Sequence, residues 1–291
     1  MADRTLLADA VPGTVLFAAD GKTITALCRD NAVRTWAVES GKLEKTKKVA
    51  AGSMLLSASL YAERTEQKTM RVWDLTAERQ AQIVNGVGIS RGTVSRDGKW
   101  LATASTDARN VKIWSMATGA EQRTMADGIG GTARLFFSPD GETLVSSNYD
   151  NDIRIWRTAS GELVRKMEDL TGAMFAGEFT ADGKWLVMGG LDETVYIWDA
   201  RTFQLFKKLG GQGEVISALA ISPDGKTLVT GGFDVLAEKN PVTIVFWDLA
   251  GGGKIVRKVQ APHRVASLAF SPDGKWVAMT AGEKEIGLWR L

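Results

Sequence analysis

Ile153-Arg154-Ile155-Trp156 ends a short β-rich run, and the same arrangement returns six more times. It stands as Val33-Arg34-Thr35-Trp36, Met70-Arg71-Val72-Trp73, Val111-Lys112-Ile113-Trp114, Val195-Tyr196-Ile197-Trp198, Ile244-Val245-Phe246-Trp247 and Ile286-Gly287-Leu288-Trp289. Successive tryptophans lie 37, 41, 42, 42, 49 and 42 residues apart. β-Branched and aromatic residues suit strands. Recurrence at a nearly fixed period marks small units that bury their faces against one another.

A second marker precedes most of these runs. Asp20-Gly21, Asp97-Gly98, Asp140-Gly141, Asp182-Gly183, Asp224-Gly225 and Asp273-Gly274 are hairpin-turn pairs, since Asp-Gly tolerates the positive φ a tight turn needs. In four of the six the glycine lies 15 residues before its tryptophan. Trp100, Trp185 and Trp276 follow these turns at one fixed offset. Around one pair, Ser217–Ile221 predicts a first strand, Thr227–Thr230 its hairpin partner, Thr243–Trp247 a third and Ile255–Val259 a fourth. Small-residue turns such as Thr118-Gly119 and Ser160-Gly161 separate third from fourth strands. No window holds a helical apolar stripe. Four short strands per unit predict an all-β chain: a seven-bladed β-propeller of four-stranded antiparallel blades, one domain over residues 1–291.

The units resemble WD40 repeats. Trp73-Asp74, Trp198-Asp199 and Trp247-Asp248 carry the family's dipeptide. Phe137-Ser138-Pro139-Asp140-Gly141 and Phe270-Ser271-Pro272-Asp273-Gly274 match its phrase between the first two strands. The family's turn aspartate before the third strand stands as Asp30, Asp107, Asp150, Asp192 and Asp234, with Glu283 near that position in the seventh unit. The family's Gly-His pair, which joins an aspartate and the tryptophan in a hydrogen-bonded network, is missing from at least six units, because His263 is the only histidine and follows Pro262. The second unit departs furthest, with no Asp-Gly, the shortest spacing, and a polar loop expected from Tyr61 to Lys68.

The seventh unit ends two residues after its tryptophan and lacks a fourth strand. Arg4–Ala8 is a β-capable run outside the first unit, so it is expected to close the last blade and cover its open edge. The fourth strands are rich in cations, as at Lys42, Lys45, Lys47 and Lys48, at Lys207 and Lys208, and at Arg257 and Lys258. Lysines on edge strands discourage unwanted sheet pairing.

Lys plus Arg number 36 against 34 Asp plus Glu, so net charge gives no general pull towards nucleic acid or an anionic membrane, and neither is expected as a partner. Apolar stretches such as Met54–Leu60 are too short to span a bilayer, and no signal peptide is visible at Met1-Ala2-Asp3-Arg4. Cys28, the only cysteine, fits a reducing compartment and reads as a small core residue; a cytoplasmic monomer is expected. One histidine and one cysteine rule out His-rich and thiolate metal sites. Asp150, Asn151 and Asp152 read as turn residues accepting backbone N–H bonds rather than as a calcium site. No nucleophile elbow accompanies His263. No catalytic residue, metal or cofactor is therefore expected.

By the resemblance, the loops before the first strand and between the second and third carry a peptide or protein partner. The residues just before the turn aspartates, Arg29, Thr106, Tyr149, Leu191 and Phe233, should point into that face. Eight residues before each Asp-Gly glycine come further positions, including Ala133, Phe175, Ser217 and Ala266. Tyr149, Phe175, Leu191 and Phe233 form a candidate apolar patch, with Val235–Pro241 as a possible wall. The implied function is a non-catalytic binding scaffold; the alternative is a small-ligand or enzymatic propeller using its central channel.

Overall fold

Each Asp-Gly hairpin is built by side chains as well as by glycine. In the third repeat the Ser95 hydroxyl donates to Asp97 Oδ1 (2.7 Å) and accepts the Trp100 N–H (3.0 Å). Asp97 Oδ1 also accepts the Lys99 N–H (3.0 Å). Only the glycine is left-handed, Gly98 having φ 71°, so the aspartate works through its carboxylate rather than through a positive φ. Ser138 with Asp140, Thr180 with Asp182, Ser222 with Asp224 and Ser271 with Asp273 repeat the hydroxyl–carboxylate bond.

The computed structural model describes residues 3–65, 69–85, 89–105, 109–125, 131–168, 170–234, 241–280 and 284–291. They contain strands and turns and no helix. The strands are β1 (Arg4–Leu7), β2 (Pro12–Phe17), β3 (Thr23–Cys28), β4 (Ala32–Ala37), β5 (Leu43–Lys48), β6 (Met54–Leu55), β7 (Leu60–Arg64), β8 (Thr69–Asp74), β9 (Arg79–Asn85) and β10 (Ile89–Val94). There follow β11 (Trp100–Ser105), β12 (Asn110–Ser115), β13 (Glu121–Met125), β14 (Thr132–Phe137), β15 (Thr143–Asn148), β16 (Ile153–Arg157), β17 (Leu163–Met167), β18 (Met174–Phe179), β19 (Trp185–Gly190) and β20 (Val195–Asp199). The last are β21 (Leu205–Leu209), β22 (Val215–Ile221), β23 (Thr227–Phe233), β24 (Val242–Asp248), β25 (Lys254–Ala261), β26 (Ser267–Phe270), β27 (Trp276–Thr280) and β28 (Glu285–Arg290).

They form seven four-stranded antiparallel sheets, the blades of a seven-bladed β-propeller. Six sheets are simple meanders, from β2-β3-β4-β5 to β22-β23-β24-β25. The seventh runs β1-β28-β27-β26, with Arg4 opposite Leu288 and Leu7 opposite Glu285. The N-terminal strand thus supplies the missing fourth strand. Leu6 is fully buried with Val15, Ile24, Trp36, Ile286 and Leu288, and the Trp36 indole N–H donates to the Leu7 carbonyl (3.1 Å).

The chain divides into two compact units, Met1–Val49 with Ala176–Leu291, and Ala50–Phe175. In each, the core lies between consecutive sheets. Leu135, Leu144 and Trp156 of sheet 4 pack on Ala102, Val111 and Ile113 of sheet 3. Ile244 and Phe246 of sheet 6 pack on Val277, Met279 and Trp289 of sheet 7. These tryptophans therefore anchor one sheet on the next.

The second repeat corrects the sequence reading. Strand β7 (Leu60–Arg64) takes up residues 61–64 of the stretch expected to be a polar loop, of which residues 66–68 lie outside the described residues, and Tyr61 pairs with Trp73, their rings stacked at 6.4 Å. Tyr61 and Ala62 are buried and supply the apolar positions the strand needs. The turn before it runs through Ser57–Ser59, where Ser57 Oγ accepts the Leu60 N–H (3.1 Å), so Asp-Gly is not required. Thr106, Asp107, Glu283 and residues 235–240 of the expected wall lie outside the described residues.

Candidate functional site

The loops before the first strand and between the second and third owe their shape to two local devices. The first is a β-bulge near the start of the first strand. The register shifts between Ile89 and Arg91, Thr132 and Arg134, and Ile216 and Ala218, so Ser90, Ala133 and Ser217 are the extra residues. These are the positions eight residues before the Asp-Gly glycines. A bulge re-aims the side chain it carries. Ser217 uses this to donate to the Val265 carbonyl (2.7 Å).

The second device is a left-handed residue after the turn aspartate, Asn31 (φ 55°), Asn151 (φ 63°) or Glu193 (φ 62°). Asp30 and Asp192 then bond chiefly to side chains on the third strand, where backbone N–H bonds were expected. Asp30 holds Arg34 in a two-pronged pair (2.9 and 2.7 Å) and is met by Lys48 (3.1 Å). Arg34 is only 3% exposed, and its hydrogen bonds hold the Asp30 carboxyl far below the ordinary range. Asp192 accepts the Tyr196 hydroxyl (2.5 Å) and more weakly the Thr194 N–H (3.3 Å). Asp150 is exposed; the buried acid of that turn is Asp152, paired with Arg154 (2.9 Å) and bonded by the Asn148 amide. Asp234 is half-buried at the end of β23.

Hydroxyls on the second strand serve three of the tryptophans. Trp114 donates to Thr103 (2.8 Å), Trp156 to Ser146 (3.0 Å) and Trp247 to Thr230 (2.8 Å). Thr230 in turn donates to Gln212 Oε1 (2.6 Å), and Gln212 Nε2 to the Thr243 carbonyl (2.8 Å). Gln212, in the loop before β22, thus links the Trp247–Thr230 pair to the third strand. Sequence reading missed these pairs, although each hydroxyl lies two residues beyond the one facing the tryptophan across the strands. Trp73, Trp198 and Trp289 face strands with Glu63, Met188 and Met279 at that place.

Of the candidate patch, one unit holds Tyr149 and Phe175. Tyr149 is 55% exposed, and its ring lies 6.2 Å from that of half-buried Phe175, tilted by 53°. Its N–H donates to the Gly131 carbonyl (3.1 Å), and its ring edge covers Gly131, where a β-carbon would stand 3.6 Å from Cδ2. Ser147 ties the two sheets together by donating to the Met174 carbonyl (2.7 Å). Arg91 reaches the same loops, its Nε donating to the Ala133 carbonyl (3.3 Å). The other unit holds Arg29, Leu191 and Phe233. Arg29 and Leu191 are exposed. Phe233 is half-buried beneath the Arg264 guanidinium, 4.4 Å from its ring centre, a contact that no local pattern announces.

Titratable groups with displaced pKa values sit in structural motifs. Burial pushes the Cys28 thiol up. The Asp97 carboxyl is lowered to about 2 by the Ser95 hydroxyl, and Asp182, Asp224 and Asp273 are lowered by the same partner type. Among the described residues no group of three or more His, Cys, Asp or Glu side chains is placed to hold a metal ion.

Comparison with known proteins agrees with this geometry. The WD40 family (WD domain, G-beta repeat) matches residues 127–157, 171–199, 203–234 and 253–290. A 66-residue stretch, 21% of the chain, is 36% identical to WD repeat-containing protein 55 of Danio rerio and spans 17% of that protein's length. A chain in the crystal structure of a mitotic checkpoint complex superposes with TM-score 0.83 at 17% identity, over 100% of this chain and 95% of that one. The last is a likeness of fold.

Proposed function

We propose that this chain is a WD40-repeat β-propeller acting as a non-catalytic scaffold, whose peptide or protein partner docks over Tyr149 and Phe175. The observation that carries the reading is the exposed Tyr149 ring, held against Phe175 of the next sheet by a fixed turn. A rigid, half-exposed aromatic pair offers a large contact area at little cost in conformational entropy, which is why such residues dominate binding energy at interfaces. The absence of catalysis is supported by where the displaced pKa values fall. They belong to turn aspartates, to the ion-paired Arg34, Glu121, Lys166 and Glu168, and to buried Cys28 and Tyr61, groups whose partners or burial serve the fold. Buried Cys28, kept as a thiol, agrees with a cytoplasmic setting, and we take the working form to be a monomer.

The test is capture of partners from the source cell, followed by titration of the purified partner against the parent chain and Tyr149→Ala. Tyr149 is exposed, so folding should be unaffected while affinity drops at least about tenfold. A partner that binds the variant with full affinity refutes the assignment.

A further inference from the structure

The fourth strands of sheets 5 and 6 differ from those of the other meander sheets in carrying cations with no carboxylate in the same stretch. Residues 204–211 and 252–261 carry Lys207, Lys208, Lys254, Arg257 and Lys258 and no carboxylate. Elsewhere the cations at fourth strands have acidic company. Lys112 pairs with Glu121 (2.5 Å) and Lys166 with Glu168 and Asp152, while Glu44 stands in β5 and Glu78 before β9. None of the five cations meets a carboxylate among the described residues. Four of the large exposed apolar side chains stand among them: Leu205, Ile255, Phe206 (64% exposed) and Val256 (62%).

The two strands are braced together. Lys207 Nζ donates to the Gly252 carbonyl, and Lys258 Nζ to that of Gly211 (3.0 Å). The cations of β25 are divided between its two faces. Arg257 lies over Phe246, 5.5 Å from its centre, on the side that packs against sheet 7, whereas Lys258 reaches towards sheet 5. A flat anionic membrane would meet only one of those faces, as would a nucleic-acid duplex. A strand laid along the edge meets both, because its side chains also alternate. β25 is the longest strand among the described residues, pairs only with β24, and is regular from Arg257 to Ala261.

We propose that the free edge of β25 is a second docking site, which accepts an extended acidic-apolar segment of a protein partner as a fifth strand of sheet 6. Main-chain bonds of the edge supply affinity, and carboxylates flanking Arg257 and Lys258 supply selectivity. The same cations repel a second copy of this chain, so the edge discriminates by charge while keeping its main-chain groups open.

The experiment uses the full chain and a labelled synthetic peptide of valine and glutamate with a central Glu-Glu pair. Fluorescence anisotropy gives the affinity, and amide hydrogen exchange gives the location. Binding is expected, with slowed exchange in 257–261. The double variant R257E/K258E should weaken it at least about tenfold and should favour the matching lysine peptide. Both residues are exposed, and an unchanged melting midpoint for the variant keeps the comparison valid. Tyr149→Ala should leave this binding intact, which separates it from the first site. Peptide binding without protection of β25, or a matching response to duplex DNA or anionic vesicles, overturns the proposal.

Discussion

Removing residues 3–8 should unfold the molecule far more easily, because β1 is a strand of the seventh sheet and packs against the first. Leu6 is fully buried in the cluster shared by those sheets. Losing such a side chain costs about 2–5 kcal/mol. The Trp36 indole, itself fully buried, loses its acceptor, the Leu7 carbonyl. An orphaned buried donor adds about 1–3 kcal/mol. Further contacts go too: Ala8 N–H to the Lys284 carbonyl (2.8 Å), Arg290 N–H to Asp3 (2.7 Å) and the four-pair ladder with β28. These losses are comparable with the whole stability of a typical fold, about 5–15 kcal/mol. For a chain of this size each kcal/mol moves the melting midpoint by about 2–4 °C. The deletion should therefore lower it by roughly 10–20 °C or prevent folding, measured by calorimetry and urea titration. Leu6→Ala alone should show the first part, and exposed Thr5→Ala should change stability by less than about 0.5 kcal/mol. A deletion variant that melts within a degree or two of the parent refutes the closing role of β1.

Other predictions concern the polar interior. Thr230→Val strips partners from Trp247 and Gln212 and should cost about 1–3 kcal/mol in urea denaturation; equal stability would contradict the network. Asp30→Asn leaves buried Arg34 without its principal charge partner and should cost roughly 3–5 kcal/mol, most of it regained in the double variant D30N/R34M. No recovery there would mean the ion pair itself was the stabilising element. Because Asp97, Asp182, Asp224 and Asp273 titrate lower folded than unfolded, their contribution is complete above the ordinary carboxylate range and is lost as pH falls through the folded values. Urea midpoints should drop between about pH 4 and pH 2, and Ser222→Ala should flatten part of that limb. An identical acid limb in that variant would contradict the hydroxyl–carboxylate account.

Local and periodic features were legible in the residues. Tryptophan spacing located every sheet, Asp-Gly located the first hairpin of six of them, and the β-capable run at Arg4–Ala8 predicted the closing strand. Features set by distant or cross-strand contacts were not. Tyr61 looks polar in a run without Asp-Gly, yet it is buried against Trp73. Phe203 takes φ 52° in the turn where other repeats place Gly41, Gly119 or Gly161, and its burial offsets a conformation that a bulky residue otherwise avoids. Arg264 covers Phe233 from the loop before β26, so an apolar letter in the sequence became a capped ring. Tyr149 has no such cap among the described residues, and its contact with Phe175 joins positions suggested by two separate counting rules.

The binding role is tested most directly by amide hydrogen exchange on the chain with and without its captured partner. Protection should rise at Asn148–Asn151, at Gly131–Ala133 and at Met174–Phe175. Protection that spares all three segments while the partner is bound would contradict the placement of the site.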